Sequence, residues 1–341
     1  MTVSRVINDG AKVRETTRLA VLAAIRELNY EPNLAARSLV TAGELRIGVI
    51  YSNPSAAFMS DFLIGVFEEA TGAGARLILA RGENGQCPPP KELQRLLGSG
   101  VRGVVLAPPL GESVIVRDVL RAANLPVAVV AAGRPPTDAI NVRIDDRQAS
   151  KAMVRHLLDL GHRRIGFITG NPDQTASVER LEGARAAIAT VEDAELVLAQ
   201  GAFTYGSGLR AAEQLLDSDP PPTAIFASND DMAAAAVSVA HRRHLDVPLD
   251  LTVVGFDDTT VATTLWPPLT TVRQPVRQMA AVALDRLMRA LRSAEPSAHA
   301  SADYVLGHAL IERESTARPR PIGPTRRPIA GAKAYERSSH A

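Results

Sequence analysis

The sequence predicts an α/β protein with two doubly wound, parallel-sheet subdomains, preceded by a short all-α segment. Three observations predict this fold class. Short apolar runs alternate with helical patterns in two successive series, which is typical of parallel sheets with crossover helices. Polar residues directly follow many of the apolar runs, as at the ligand-binding edge of such sheets. Before residue 41, apolar residues fall at helical spacing instead.

The all-α segment contains two predicted helices and a shorter third one. Apolar residues fall at helical spacing within 2–8 and again within 13–28, and Asn29 marks the end of the second helix. Pro32 favours a new helix start, so 33–39 is predicted to form a helix of about two turns, which is marginal when isolated. This N-terminal part is mildly basic, whereas the whole chain has a formal net charge of only +1. Whole-chain charge therefore does not indicate a nucleic-acid partner.

The first α/β series follows a linker and extends from residue 46 to a boundary near Asp145. Its predicted strands are 46–51, 76–80, 103–107 and 127–131, and the helices between them are 58–71, 91–97 and 113–123. Strands that are apolar throughout predict a sheet buried on both faces.

The second series occupies 146–316, with a chain crossing expected near 270–275. The predicted helices are 147–160, 178–189, 208–216 and 231–241, and the predicted strands are 165–169, 196–199, 224–227 and 251–255. Right-handed crossovers then give a second doubly wound subdomain.

Hydroxyl, amide and carboxylate groups follow four of these strands and a further apolar run at 140–144. They lie at 51–53, 145–146, 169–171, 228–230 and 257–258. Because ligands bind beyond the carboxyl ends of parallel strands, these groups are expected to line one crevice. A sugar hydroxyl both donates and accepts hydrogen bonds, so this set suits a polyhydroxylated ligand whose apolar ring face is covered by an aromatic side chain.

Several segments resemble the LacI/GalR family of transcriptional repressors. TVSRVIN at 2–8, VRETTR at 13–18, LNYEPN at 28–33 and ARSL at 36–39 occur in the family's order. The stretches 145–170, 225–230, 254–258 and 268–275 are similar to the family's effector domain, which has the periplasmic-binding-protein-like fold. The resemblance covers about 2–316. It implies a homodimeric repressor that binds a pseudo-palindromic operator and is controlled by a small-molecule effector.

The resemblance also assigns DNA contacts. It implies a partial helix-turn-helix headpiece at 1–31 and a hinge helix with linker at 32–45, with contacts from Thr2, Ser4, Arg5, Asn8, Ala36 and Leu39. Leu39 would wedge between base pairs in the minor groove. The sequence starts at the recognition helix, whereas a helix-turn-helix has a bracing helix before it. We therefore expect either an upstream start or a truncated regulator that binds effector and dimerises but not DNA.

The effector residues implied by the resemblance lie at the strand ends and helix starts. They are Asn53, Phe58, Asp145 (or Asp146), Arg180, Phe203, Asn229 and Asp257. Arg180 would hold an oxygen bidentately and Phe203 would stack on the ligand. Alternatives stay open, because Asp145 and Asp230 are equally placed to cap the helices that follow, and Phe58 fits a core or a dimer interface. A mono- or disaccharide or a glycoside is the expected ligand class.

Other classes are disfavoured. The sequence contains neither a dinucleotide-binding nor a Walker motif, 206–208 is a helix-start turn rather than a nucleophile elbow, and His241 with His244 lacks further metal ligands, so we expect no enzyme, metal or cofactor. The single cysteine and the N-terminal composition indicate a cytoplasmic protein rather than the alternative, a transport-type sugar-binding protein. A solvated turn is expected at 162–164, and a disordered basic tail at 317–341.

Overall fold

The computed structural model describes residues 16, 17, 19, 45–83, 85–134, 136–293 and 301–320. The predicted DNA contacts at Thr2, Ser4, Arg5, Asn8, Ala36 and Leu39 lie outside the described residues, as does the tail beyond 320. In the described part, two six-stranded sheets confirm the predicted fold class of two parallel-sheet α/β subdomains. No helix there is long and apolar enough to cross a membrane.

The chain first builds most of one subdomain. Its elements are β1 (Arg46–Tyr51), α1 (Ala56–Gly72), β2 (Arg76–Arg81), α2 (Pro90–Gly98), β3 (Gly103–Leu106), a 3-10 turn (Leu110–Glu112), α3 (Val114–Ala122), β4 (Val127–Val130) and β5 (Ile140–Ile144). Strands predicted from apolar runs agree with these bounds to within about a residue. The central strands β1, β3 and β4 are buried on both faces of the sheet, whereas the edge strand β2 is partly exposed.

The second subdomain follows without a linker. Its elements are α4 (Asp146–Asp159), β6 (Arg164–Thr169), α5 (Thr175–Ile188), β7 (Glu195–Gln200), α6 (Tyr205–Leu216), β8 (Ala224–Ala227), α7 (Asp230–Arg242), β9 (Thr252–Asp257), α8 (Thr260–Thr264) and β10 (Thr270–Arg273).

The chain then returns to the first subdomain before ending in the second. Helix α9 (Val276–Arg292) packs on α1, β3, β4 and β5, strand β11 (Ala302–Leu306) pairs with β5, and β12 (Ala309–Ile311) pairs antiparallel with β10. The sheet orders are β11-β5-β4-β3-β1-β2 and β12-β10-β9-β8-β6-β7. The chain crosses between subdomains after β5, β10 and β11. The crossing after β10 lies where it was expected, near 270–275. Helix α9 and strand β11 belong to the first subdomain, whereas 146–316 was assigned to the second.

One glycine in each subdomain allows two helices to pack closely. A Cβ on Gly65 of α1 would lie 2.1 Å from the carbonyl oxygen of Arg277 in α9, and a Cβ on Gly183 of α5 would lie 2.1 Å from that of Arg147 in α4. Neither site tolerates a side chain without a backbone shift. These contacts fix α5 against α4 in the second subdomain.

Two further expectations differ from the structure. His162 is buried rather than solvated: its Nδ1 lies 2.8 Å from Thr223 Oγ1 and its Nε2 lies 2.9 Å from the carbonyl oxygen of Ala317. Residues 317–320 also pack on the second subdomain, with Arg320 paired to Asp250, so the prediction of a disordered tail is wrong for these four residues. This stretch contains few apolar residues, so the sequence does not indicate that it packs on the protein. It is held by hydrogen bonds of its backbone, one of them with the buried imidazole of His162.

Candidate ligand-binding cleft

The carboxyl ends of the two sheets face each other across a cleft. The cavity between them has a volume of about 30 Å³. The first subdomain contributes Asn53, Ser55, Phe58, Pro108 and Ala131, and the second contributes Gln174, Ala176, Arg180, Phe203, Asn229, Asp257 and Gln274. Six of the seven residues predicted for the effector site thus meet here; Asp145 does not line this space.

Arg180 lies at the floor of the cleft, one turn into α5, and is almost fully buried. Its Nε donates to Asp146 Oδ1 at 2.7 Å, and its Nη1 donates to the carbonyl oxygen of Ser228 at 2.5 Å. The guanidinium carbon lies 3.6 Å from the ring centre of Phe256 and 5.9 Å from that of Phe203. A buried charge requires such partners, and the fixed guanidinium fork retains donors for a ligand.

Asp257 is the last residue of β9 and has a φ of 113°, a conformation that side chains other than glycine rarely adopt. Its Oδ1 accepts a hydrogen bond from Gln274 Nε2 at 2.6 Å and lies 3.9 Å from Arg180 Nη1. Burial raises the pKa of Asp257 well above its usual value, while Arg180 acts to lower that pKa. A strained, buried carboxyl group in a cleft is typical of a functional position.

The neighbouring Asp258, at φ 60°, stabilises this turn. Its two carboxylate oxygens accept hydrogen bonds of 2.6 Å each, one from Arg273 Nε and one from Arg313 Nη2. Arg313 follows β12, so this ion-pair cluster ties the strained end of β9 to the returning chain.

Asn229 and Phe203 are positioned by one hydrogen bond. The Asn229 amide nitrogen donates to the Phe203 carbonyl oxygen at 3.1 Å, and its Oδ1 caps α7 by accepting from Met232 N at 3.0 Å. Phe203 has a φ of 58°. Asn229 therefore keeps one amide N–H for a ligand.

The first subdomain contributes to the cleft the loop before α1 and the aromatic ring of Phe58. Asn53 Nδ2 donates to the Pro108 carbonyl oxygen at 3.2 Å, and its Oδ1 accepts from Ser55 N at 2.8 Å. Ser55 caps α1. Phe58 belongs to the buried core and also lines the cleft. The core alternative is therefore confirmed, and its contact with an effector stays a prediction.

The three aspartates that start the helices have different roles. Asp145 caps α4 by accepting from Gln148 N at 2.9 Å, which is the capping alternative of the sequence analysis. Asp146 points inward to Arg180, and burial raises its pKa. Asp230 does not cap α7. It accepts hydrogen bonds from Thr259 and Thr271, and burial raises its pKa to about 7.

Sequence reasoning missed the two glutamines of the cleft. Gln274 lies at the crossing between β10 and α9, and its buried Oε1 has no hydrogen-bond partner among the described residues. An unpaired buried acceptor beside a carboxyl group suits a ligand hydroxyl donor. The crossing itself was the only available signal for Gln274, while Gln174 lies in a loop without a recognisable pattern.

Two family models match this chain, one at its N-terminus and one over most of its second half. Residues 1–33 match the family model for bacterial regulatory proteins of the lacI family, and 154–316 match that for a periplasmic binding protein-like domain. The HTH-type transcriptional regulator CelR of Thermobifida fusca is 38% identical over 84% of this chain and 87% of that protein.

Two solved structures extend the similarity to the fold. A transcriptional regulator CelR–cellobiose complex is 33% identical, covers 92% of this chain and 95% of its own, and has a TM-score of 0.70. The lac repressor dimer bound to operator and the anti-inducer ONPF is 27% identical, covers 93% and 94%, and also has a TM-score of 0.70. Sequence identity over most of both chains, together with the matched headpiece, shows that this chain belongs to the lacI family of bacterial regulatory proteins.

Proposed function

We propose that this protein is a DNA-binding transcriptional repressor whose operator affinity is controlled by a neutral mono- or disaccharide, or a glycoside, bound in the cleft. The observation that supports this most directly is the convergence of Arg180, Asn229 and Asp257 from the second subdomain on Asn53 and Phe58 from the first. Regulators of the same family include proteins solved with cellobiose and with operator DNA.

The charge of the cleft favours a neutral ligand over an anionic one. Arg180 is the one cationic side chain that lines the cleft as described, and it is already bonded to Asp146 and faces Asp257. A phosphate or carboxylate would approach these acidic groups without a free cation to balance it. Sugar hydroxyls can instead donate to Asp257 and Gln274 and accept from Asn229 and Arg180.

DNA binding is assigned to the headpiece. The lacI-family match over 1–33 favours a regulator over a transport-type sugar-binding protein. We assign base and phosphate contacts to Thr2, Ser4, Arg5 and Asn8, and minor-groove contacts to Ala36 and Leu39. By linkage, a sugar that weakens operator binding is itself bound more weakly by the operator complex.

Self-association is supported by one apolar surface on the second subdomain. Trp266 is 74% exposed and Tyr205 is 45% exposed, and both line a groove with Val237 and Leu265. Exposed aromatic residues around a groove are typical of protein interfaces. We assign this surface to a homodimer, the state in which the lac repressor was solved on its operator.

The test is thermal unfolding with a panel of neutral sugars, including cellobiose, and their phosphorylated counterparts. A neutral sugar at a hundredfold excess over its Kd should stabilise the wild type by about 2.7 kcal/mol, and Asp257→Asn should remove that stabilisation. Asp173→Asn, an exposed carboxylate in the loop before α5, is the matched control and should respond like the wild type. Stabilisation by phosphorylated sugars alone would contradict the proposal.

A further inference from the structure

Glu112 of the first subdomain binds the start of α5 in the second. Its Oε2 accepts a hydrogen bond from Thr175 N at 2.8 Å, and its Oε1 accepts one from Thr175 Oγ1 at 2.6 Å. Thr175 stands between Gln174 and Ala176, which both line the cleft. The contact therefore closes the rim of the cleft without using any of the groups assigned to the ligand.

Helix α5 depends on Glu112 for its N-terminal cap. Gln174 at the N-cap position makes no side-chain capping bond, and the first turn of α5 contains no acidic residue. The first amides of a helix are unpaired donors with a partial positive charge, so a carboxylate there is stabilising. Among the described residues, the carboxylate that is bonded to the first amide of α5 is that of Glu112, which belongs to the other subdomain.

Gly133 allows the two subdomains to approach closely at this point. A Cβ on Gly133 would lie 2.5 Å from Ala176 N and 2.5 Å from the carbonyl carbon of Thr175, both backbone atoms that cannot rotate away. Beside it, Arg134 N donates to Thr175 Oγ1 at 2.8 Å and Arg134 Nε donates to Glu179 Oε1 at 2.8 Å. We call the contacts of Glu112, Gly133 and Arg134 with α5 the rim contact.

The rim contact bears directly on the ligand-binding groups. Arg180 lies five residues beyond Thr175 on the same helix, so fixing the start of α5 fixes the guanidinium relative to Asn53 and Phe58 across the cleft. If the subdomains separated, the rim contact would be lost as a unit and the buried end of α5 would be left without a cap.

We propose that Glu112 is a positioning residue that caps α5 across the cleft and so holds the two subdomains closed, with Gly133 as the position that permits this approach. This inference concerns the protein without ligand and does not depend on which sugar binds. It makes the closed arrangement an intrinsic state of the chain, which a ligand stabilises further.

The test measures the distance between the subdomains in the full chain without ligand. Spin labels are placed at Ile115→Cys, exposed on α3, and at Ala189→Cys, exposed at the end of α5, in a Cys87→Ser background. Labelled chains are mixed with excess unlabelled chains so that only distances within one chain are observed. Hydrogen exchange of a peptide covering 172–178 is measured in parallel.

Glu112→Ala and Gly133→Ala should both add a longer-distance population that the wild type lacks, and exchange in 172–178 should become about tenfold faster, the factor that corresponds to about 1.4 kcal/mol. Glu112→Asp keeps the charge but is one methylene shorter, so it should behave like Glu112→Ala. Glu112→Gln retains an acceptor for Thr175 N. Its longer-distance population and its exchange rate should therefore lie between those of the wild type and those of Glu112→Ala.

Glu182→Ala is the matched control, because it removes a carboxylate from α5 whose nearest cations, Arg147 and Arg185, lie in the second subdomain. It should leave the distance unchanged. Far-UV circular dichroism confirms folding, and if Glu112→Ala does not fold, Gly133→Ala and Glu112→Gln decide the matter. Faster exchange with unchanged distances would overturn the proposal, because Glu112 would then be only a local helix cap.

Discussion

Replacing Arg180 with Met removes the cation on which the floor of the cleft depends. Methionine keeps a long apolar side chain against Phe256 and Phe203, so packing is largely retained. The variant loses the cation that pairs with Asp146 and Asp257, whose side chains are only 2% and 6% exposed. Removing one partner of a buried ion pair costs about 3–5 kcal/mol, and we expect a loss of that size at pH 8.

The loss caused by Arg180→Met should depend on pH in a definite direction. Burial raises the pKa of Asp146 and of Asp257, and Arg180 lowers both, so the variant should raise both pKa values further. A carboxyl group whose pKa is higher in the folded than in the unfolded state contributes stability at low pH that is lost as the pH rises through the folded pKa. The difference between variant and wild type should therefore shrink from pH 8 to pH 5.

Urea unfolding followed by circular dichroism at the two pH values measures this difference. Adding Asp146→Asn to Arg180→Met should recover part of the loss, since one buried carboxylate is then removed. Arg277→Met, which breaks an exposed ion pair with Glu68, should have little effect. A loss below about 1 kcal/mol, or one equal at both pH values, would refute the view that Arg180 compensates buried carboxylates.

Three other predictions concern separate parts of the chain. Gly65→Ala should destabilise by about 1–3 kcal/mol in urea unfolding, because its methyl group meets the Arg277 backbone, whereas Gly72→Ala on the same helix meets open space and should not. His162→Ala should cost about 1–3 kcal/mol at pH 7.5 through its lost partners Thr223 and Ala317. Since burial lowers the pKa of His162, the stability it contributes is present above pH 6.5 and is lost as the pH falls through the folded pKa, so the cost should shrink at pH 5.5. Leu39→Ala should weaken specific operator binding at matched salt but leave sugar stabilisation intact, and equal operator affinity would contradict the hinge assignment.

The predictable parts of the structure are those that a local pattern specifies. Apolar runs predicted the β-strands closely because a strand buried on both faces admits few polar residues. The return of α9 and β11 to the first subdomain was missed, because no element was predicted for either segment and a local pattern does not reveal which sheet a helix or strand joins. Gln274, at the crossing that leads into α9, was missed for the same reason.

The predicted cleft residues show a second limit. Asp145 and Asp146 are adjacent at the start of α4, and their order in the sequence does not separate their roles. Asp145 is the N-cap, with non-helical backbone angles, and accepts from the backbone amide of Gln148, whereas Asp146 is the first helical residue and accepts from Arg180. Only the three-dimensional position of α5 distinguishes a helix cap from a buried ion-pair partner, and Glu112 shows that a cap can even come from another subdomain.

Two carboxyl groups with raised pKa values, one lining the cleft and one buried beside it, further support a neutral ligand. Asp230 is the first residue of α7 and has a pKa raised to about 7. Asp257 is the last residue of β9 and has a pKa raised well above its usual value. An anionic ligand would raise the pKa of nearby carboxyl groups further and would bind with proton uptake. A neutral sugar would leave that protonation nearly unchanged. Calorimetric titration in buffers of different ionisation enthalpy should therefore give nearly buffer-independent binding heats for the true ligand, while a strong buffer dependence would indicate an anion.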